Sequence, residues 1–444
     1  MLRFLRCAVS RAALLWALLS IIGCLPVTEQ SPTSSGEDPT QLEQVLSSSP
    51  RLPVAADSFA EREPNDDFTS ATPLLFAGNV DLTGSITGGS ETLDRDLFEL
   101  GPASAGDHIH ATLTTEGNID VILGLYDAQQ RLLAYIDHTS YVTGPPEIDL
   151  VLRESTNLLF AMTATRSSST AARPYTANVS VARDAGTVTY HPQVIVLDFD
   201  GGNSVRIANR TPVNIPPFDA ASIDGRLAGQ TQTIIEMVVD LVREDYAGLN
   251  VQIYVAGDPN IPPAPYSLVY YGTSNPALLG LADNIDPLNA NPSQSAIIYT
   301  DTFSLFNPLS PDMHAMAQVL ANVTSHEIGH LLGLRHTSDP QAIMDITATA
   351  RQMLQDQWFK TSKLHPTVAP IGYQDAPATL AWTVGGEPTP ASPARVLARL
   401  LPSNVDADGP DFQVPRELLM SGCHIGPPHH DQDSDHGGTD AASF

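Results

Sequence analysis

One eleven-residue stretch constrains this chain more than any other: His326-Glu327-Ile328-Gly329-His330-Leu331-Leu332-Gly333-Leu334-Arg335-His336. Two histidines four apart share one face of a helix, so both imidazoles can reach a single ion. Residues Met313 to Leu334 read as that helix, and Gly333 is its expected stop, because glycine accepts the left-handed backbone needed to turn back. The turn lets His336 supply a third nitrogen. Three neutral imidazoles with an open fourth position suit a catalytic zinc ion, since structural sites are closed by four protein ligands. Glu327 follows the first ligand and sits beside that ion. Zinc acidifies a water toward neutrality and polarises a carbonyl. Glu327 is the expected general base, taking the proton of that water and passing it on to the leaving group. Five fixed positions, three of them the rare histidine, arise by chance in such a chain on the order of 10⁻⁵ of the time, given average usage.

Downstream, Met344 follows in Ala342-Ile343-Met344-Asp345. The histidine stretch with this methionine turn resembles the metzincin signature, and the strand–helix–strand order before it is similar to that clan. The resemblance covers residues 190–384. It implies an α+β catalytic domain with a twisted, mostly parallel sheet, an active-site helix and a Met-turn. It further implies that His326, His330 and His336 bind Zn2+, that Glu327 is the base, and that Met344 is the apolar floor beneath the metal. The implied activity is hydrolysis of peptide bonds by a zinc endopeptidase. Leu279-Gly280-Leu281-Ala282 resembles the clan's edge strand, which binds substrate backbone by strand addition. Thr337 and Asp345 differ from the residues usual at those places in the matrix, serralysin and astacin types, so the subfamily stays open. The chain has no cysteine between Cys24 and Cys423, so the latency device of matrix-type members, a cysteine on zinc, is absent.

The rest of the chain reads as multidomain. Residues 59–184 are all-β: DLFEL, HIHATLT, IDVILGLYD, LLAYID, DLVLRE, LLFAMTA and YTANVSV are short runs bounded by turn residues, as in a β-sandwich. Glu63-Pro64-Asn65-Asp66, Ala71-Thr72-Pro73-Leu74, Asp94-Arg95-Asp96-Leu97-Phe98, Asn118-Ile119-Asp120-Val121, Leu125-Tyr126-Asp127 and Tyr175-Thr176 resemble the bacterial pre-peptidase C-terminal (PPC) domain family. Such domains usually follow a peptidase domain, whereas this one precedes it. Glu63, Asn65 and Asp66 are either turn residues or hard oxygen ligands for calcium. Asp198-Phe199-Asp200-Gly201-Gly202 offers the same two readings, with a capped strand exit preferred. His314, before the motif, is expected at the surface.

Both ends look unstructured. Arg3, Arg6 and Arg11 precede the apolar run Ala12 to Gly23, which suits an export signal and is short for a membrane span. It ends in Ile21-Ile22-Gly23-Cys24, which resembles a lipobox, so residues 1–24 read as a signal and Cys24 as the site of lipidation and membrane attachment. Residues 25–58 read as a flexible tether, and 385–444 as a linker and a disordered tail rich in His and Asp. With 50 Asp+Glu against 22 Lys+Arg, the net charge of −28 excludes a nucleic-acid partner, which needs a basic face. The expected partners are a protein or peptide substrate and, through the anchor, a membrane; a monomer is expected. The protein is read as exported, as an envelope lipoprotein or secreted. The competing reading is a cell-surface binding lipoprotein whose peptidase-like domain is inactive. Glu327 speaks against it, because a binding module has no need of a base beside its metal.

Overall fold

The computed structural model describes residues 57–74, 78–88, 94–116, 121–138, 145–164, 171–367, 371–390, 393, 395–396 and 411–415. The leader with Cys24, nearly all of the tether, the Asn118-Ile119-Asp120 part of the sandwich motif and the histidine-rich tail lie outside the described residues.

Strict alternation makes the first layer pair. In β10 (Arg173–Ala182), Tyr175, Ala177, Val179 and Val181 are buried and the residues between them face outward, the period-two pattern of a half-buried strand. Around β10 one sheet runs β1 (Asp57–Ala60), β3 (Asn79–Ile86), β10, β5 (His108–Thr115), β8 (Glu147–Val151). The facing sheet runs β2 (Thr72–Pro73), β4 (Arg95–Ala103), β9 (Thr156–Ala164), β6 (Val121–Tyr126), β7 (Leu132–His138). Two five-stranded sheets thus share one apolar core, as expected of a sandwich, and each anticipated run contributes described residues to a strand. Strand β6 breaks the alternation, being buried throughout. Its inner side chains fill the sandwich core, and Tyr126 on the outer side joins Phe68, Leu132 and Ile371 in a second small cluster. Ile371 belongs to the following domain, so the strand is covered on both faces.

The second domain is built on a five-stranded sheet ordered β14 (Val251–Val255), β11 (Gln193–Asp198), β15 (Ser267–Tyr271), β17 (Ser295–Ile298), β16 (Gly280–Ala282). The first four are parallel and β16 is an antiparallel edge, matching the expected mostly parallel sheet. Helix α1 (Thr231–Asp245) buries Ile234, Val238, Val239 and Val242. Helix α2 (Met313–Leu331) is capped by Asp312, whose side chain accepts from Ala315 N, and is buried almost all round from Ala315 onward. A helix with no polar face belongs in the middle of a domain, and there it carries the histidine motif.

Helix α1 starts at Thr231, and Gly225–Leu227 before it forms its own turn capped by Asp224. Residues Thr300–Leu309 are a 3₁₀ segment that follows β17. The hairpin of β12 (Gly202–Val205) and β13 (Val213–Ile215) was not anticipated. The boundary at 384 also needs correction. Beyond α3 (Ala376–Val384), Gly385, Glu387 and Thr389 hydrogen-bond to the backbone of Asn250, Gly248 and Ala247. Phe412 O accepts from Ala350 N, and Val414 is part of the main core. Arg395, 5% exposed, pairs with Asp245 and Asp356 at 2.6 Å each; these acids are 1% and 6% exposed. Composition alone suggested a loose segment here, but its few apolar residues and one arginine have specific buried partners.

Removing one member of a buried charge network leaves the others uncompensated. Arg395→Ala in the full chain is therefore expected to lower stability by about 3–5 kcal/mol, read as a lower urea midpoint at unchanged m-value. A chain ending at residue 385 loses the same contacts and is expected to fare worse.

Candidate metal centre

The centre is assembled by the way α2 ends. Gly333, at φ +90°, follows the helix. Leu334 N donates to Gly329 O and Gly333 N to His330 O, both at 2.9 Å, which is the Schellman pattern of helix termination. The reversal brings His336 back to the helix. His330 Nε2 lies 3.0 Å from His326 Nε2 and 3.1 Å from His336 Nε2. All three rings are buried.

The other ring nitrogens decide what these close approaches mean. His326 Nδ1 donates to Ile343 O at 2.7 Å, and His330 Nδ1 donates to Leu334 O at 2.8 Å. A proton on Nδ1 of a neutral ring leaves a lone pair on Nε2. Two of the three converging nitrogens are therefore acceptors, which repel each other unless a cation lies between them. Zinc–nitrogen bonds of 2.0–2.1 Å at tetrahedral angles put ligand nitrogens about 3.3 Å apart, close to the spacing found. Burial pushes the pKa of His326 down to about 4, and burial with the neighbouring rings holds His330 and His336 well below the usual value. The donor set thus fits zinc: neutral imidazoles, oriented by backbone carbonyls as metal-ligating histidines commonly are.

The Met-turn lies beneath. Met344 is 1% exposed, and a Cβ added to Gly329 would stand 2.7 Å from its Sδ, so the glycine within the motif makes room for the methionine. Met344 O accepts from Thr337 N at 2.8 Å. Asp345 binds Thr347 N and Ala348 N at 2.7 and 2.6 Å, which closes the turn.

Glu327, 2% exposed, packs against the Cα of Gly280 so tightly that a Cβ there would overlap its carboxylate. A recess of ≈ 20 Å³ beside them is lined by Leu279, Gly280, Val323, His326, Ile343 and Met353 among others. The edge strand divides in two. Leu279 and Leu281 are core residues, each 1% exposed. Tyr299 N donates to Leu279 O and Asp283 N to Ser295 O, so by alternation the backbone groups of Gly280 and Ala282 point to the outer edge. Among the described residues neither makes a backbone hydrogen bond on that side.

A second cluster lies in the sandwich. Glu61, Glu63 and Asp96 each bring a carboxylate oxygen within 4.8 Å of the others. Asp96 and Asn65 are fully buried, and neither oxygen of Asp96 nor either amide atom of Asn65 has a hydrogen-bond partner. Glu61 accepts from Tyr175 OH and Ser85 N at 2.8 Å. Burial, reinforced by the charges of Glu61 and Asp94, raises Asp96 to about 9. Oxygens on one calcium ion lie at most about 5 Å apart, so this donor set fits that ion. Of the residues singled out in the sequence, Glu63 belongs here and accepts from Asn65 N at 3.1 Å, whereas Asp66 accepts from Arg95 N at 3.1 Å as a turn residue. Glu61 carried no sequence signal. Asp198 accepts from Asp200 N at 3.0 Å and caps its strand exit, and His314 is exposed.

Fold and centre together have the features of a metallopeptidase. The matrixin family model matches residues 283–360, which supports a metallopeptidase and implies zinc. No curated protein matches the chain. Among solved structures, archaemetzincin from Methanopyrus kandleri aligns at 15% identity over 38% of this chain and 87% of its own, with a TM-score of 0.23. The pre-peptidase C-terminal domain of Bacillus anthracis collagenase aligns at 16% identity over 30% and 98%, with a TM-score of 0.17. PliG of Aeromonas hydrophila, a periplasmic inhibitor of g-type lysozyme, aligns at 18% identity over 29% and 100%, with a TM-score of 0.21. Scores this low do not establish a shared fold.

The acid cluster has a pH signature. Asp96 in the folded chain holds a proton that the unfolded chain has lost above the ordinary carboxylate range. Without divalent cation, its contribution to stability is full below about pH 4 and is lost as pH rises toward about 9. Melting temperature is expected to fall across that window in EDTA. Calcium at about a hundred times its Kd should add about 2.7 kcal/mol near pH 8 and flatten the slope, both absent in Asp96→Asn.

Proposed function

We propose that the chain is an exported, zinc-dependent endopeptidase. The observation that carries this reading is the convergence of three buried imidazoles, with Glu327 packed against Gly280 of the antiparallel edge strand. His326, His330 and His336 would hold the ion, which supplies Lewis-acid chemistry toward water and a carbonyl. The outward backbone groups of Gly280 and Ala282 would take the substrate as an added strand, a mode that grips main chain and tolerates many sequences. Glu327 would accept the proton of the attacking water and deliver it to the amine that leaves. The bare Cα of Gly280 keeps the carboxylate at the meeting point of strand and metal ligands. Met344 touches no reacting atom in this scheme; it packs under the helix turn that carries His326 and His330.

The sandwich and the leader would contribute as well. Glu61, Glu63 and Asp96 would bind calcium, which would take the place of the buried proton. Cys24 would carry the lipid that attaches the protein to a membrane, and the remainder would work as a monomer on protein or peptide substrates. The alternative of a binding lipoprotein with an inert domain is weakened by the presence of Glu327 in the motif, a carboxylate that a binding module would not need beside its metal.

Glu327→Ala is expected to retain zinc and to lose casein cleavage by about 10²–10⁴-fold, and activity within twofold of the parent would remove the proposed base. Gly280→Ala should also keep zinc while lowering turnover by about 10²-fold, because displacing the base by about 1 Å is costly. Cys24→Ser should move the protein from the membrane fraction to the soluble one; an unchanged distribution would reject the anchor.

A further inference from the structure

The sandwich domain meets the second domain at a short turn. Gln130 O accepts from Tyr373 N at 2.9 Å, and Arg131, held by Asp127, pairs with Asp375 at 3.0 Å. These contacts bracket Gln374 in β19 (Tyr373–Asp375), which pairs with β18 (Thr361–Lys363). The buried Gln374 side chain grips the backbone of one residue from both ends. Its Oε1 accepts from Arg335 N at 2.7 Å and its Nε2 donates to Arg335 O at 2.9 Å. Arg335 stands between Leu334, whose carbonyl orients His330, and His336, the third imidazole. Its guanidinium, 6% exposed with its residue, lies 3.3 Å from the ring centroid of Tyr135 in β7 of the sandwich. Among the described residues no carboxylate pairs with it, so the aromatic face is the main stabiliser of a desolvated cation. Beside these contacts the interface is hollow: a cavity of ≈ 370 Å³ is bordered by Tyr135, Ile148, Gly333, Arg335, Gln374 and Trp382. The link between sandwich and metal loop is therefore concentrated in few side chains.

We propose that the sandwich is a clamp for the metal centre: Tyr135 holds the side chain of Arg335 and Gln374 its backbone, and together they set the position of His336. This rests on the zinc site proposed above and gives the leading domain a task within the catalytic unit. Tyr135 and Gln374 are positioning residues, acting through Arg335. The tyrosine reaches the metal loop across the domain boundary. The glutamine is itself placed by the Gln130 and Arg131 contacts.

The test is zinc affinity of the full chain, measured by chelator competition and independent of proteolysis. Tyr135→Ala and Gln374→Ala should each raise the zinc Kd by about 10–100-fold, the range found when groups that orient metal ligands are removed, and should shift the visible spectrum of the cobalt form. Tyr135→Phe, which keeps the aromatic face, should stay within twofold of the parent. Val179→Ala, in the sandwich core away from the interface, should lower the melting temperature and leave zinc affinity alone. If Gln374→Ala does not fold, the Tyr135 pair decides. Unchanged affinity in the Ala variants, or equal weakening in Val179→Ala, overturns the clamp. A parent that binds no zinc removes the metal centre itself and the clamp with it, a failure distinct from that of variants beside a binding parent.

Discussion

Two imidazole lone pairs, and a third ring nitrogen beside them, occupy one small buried space, and the rest of the second domain is arranged around that constraint. Nitrogens about 3 Å apart do not stay together on their own in a neutral site. They are held by what surrounds them: a helix buried on every side, a glycine-terminated turn, and two backbone carbonyls that lock the outer ring nitrogens. Each carbonyl comes from a segment that could not be placed without the helix. Ile343 belongs to the Met-turn, and Leu334 to the reversal after Gly333. The apolar burial around the helix drives the assembly and also keeps the rings neutral, which is the form a cation needs.

The same economy governs Glu327. Its carboxylate has a place because residue 280 is glycine, and that glycine lies in the one antiparallel strand of the sheet. An antiparallel edge leaves alternate backbone groups facing away from the sheet, so Glu327 is seated beside the strand that is proposed to receive a peptide. In the proposed reaction, substrate geometry and proton transfer would both depend on that one short strand.

The sandwich has usually to be thought of as an accessory when it is met as a separate domain. Here its outer face is covered by Ile371, its turn is bonded to β19, and its Tyr135 supports an arginine inside the metal-binding motif. Its acid cluster lies elsewhere, near the start of the domain, where the buried side chains of Asp96 and Asn65 find no hydrogen-bond partner among the described residues. Two ions in one chain would then do different work, one in chemistry and one in holding the first strands together.

What the sequence determined by itself was local. The spacing of His326, His330 and His336 and the break at Gly333 follow from the helical period and the conformational freedom of glycine, and the sandwich strands follow from alternation. Met344 was found because the resemblance pointed to it. Partnership across long separations was not readable. Nothing near Gln374 marks it as the grip on Arg335, nothing in Glu61 announces a companion for Asp96, and a segment rich in proline hid the buried ion pairs of Arg395. Those assignments were decided by tertiary structure, because a buried polar group must find its partner wherever the fold brings one, and periodicity along the chain carries no record of that.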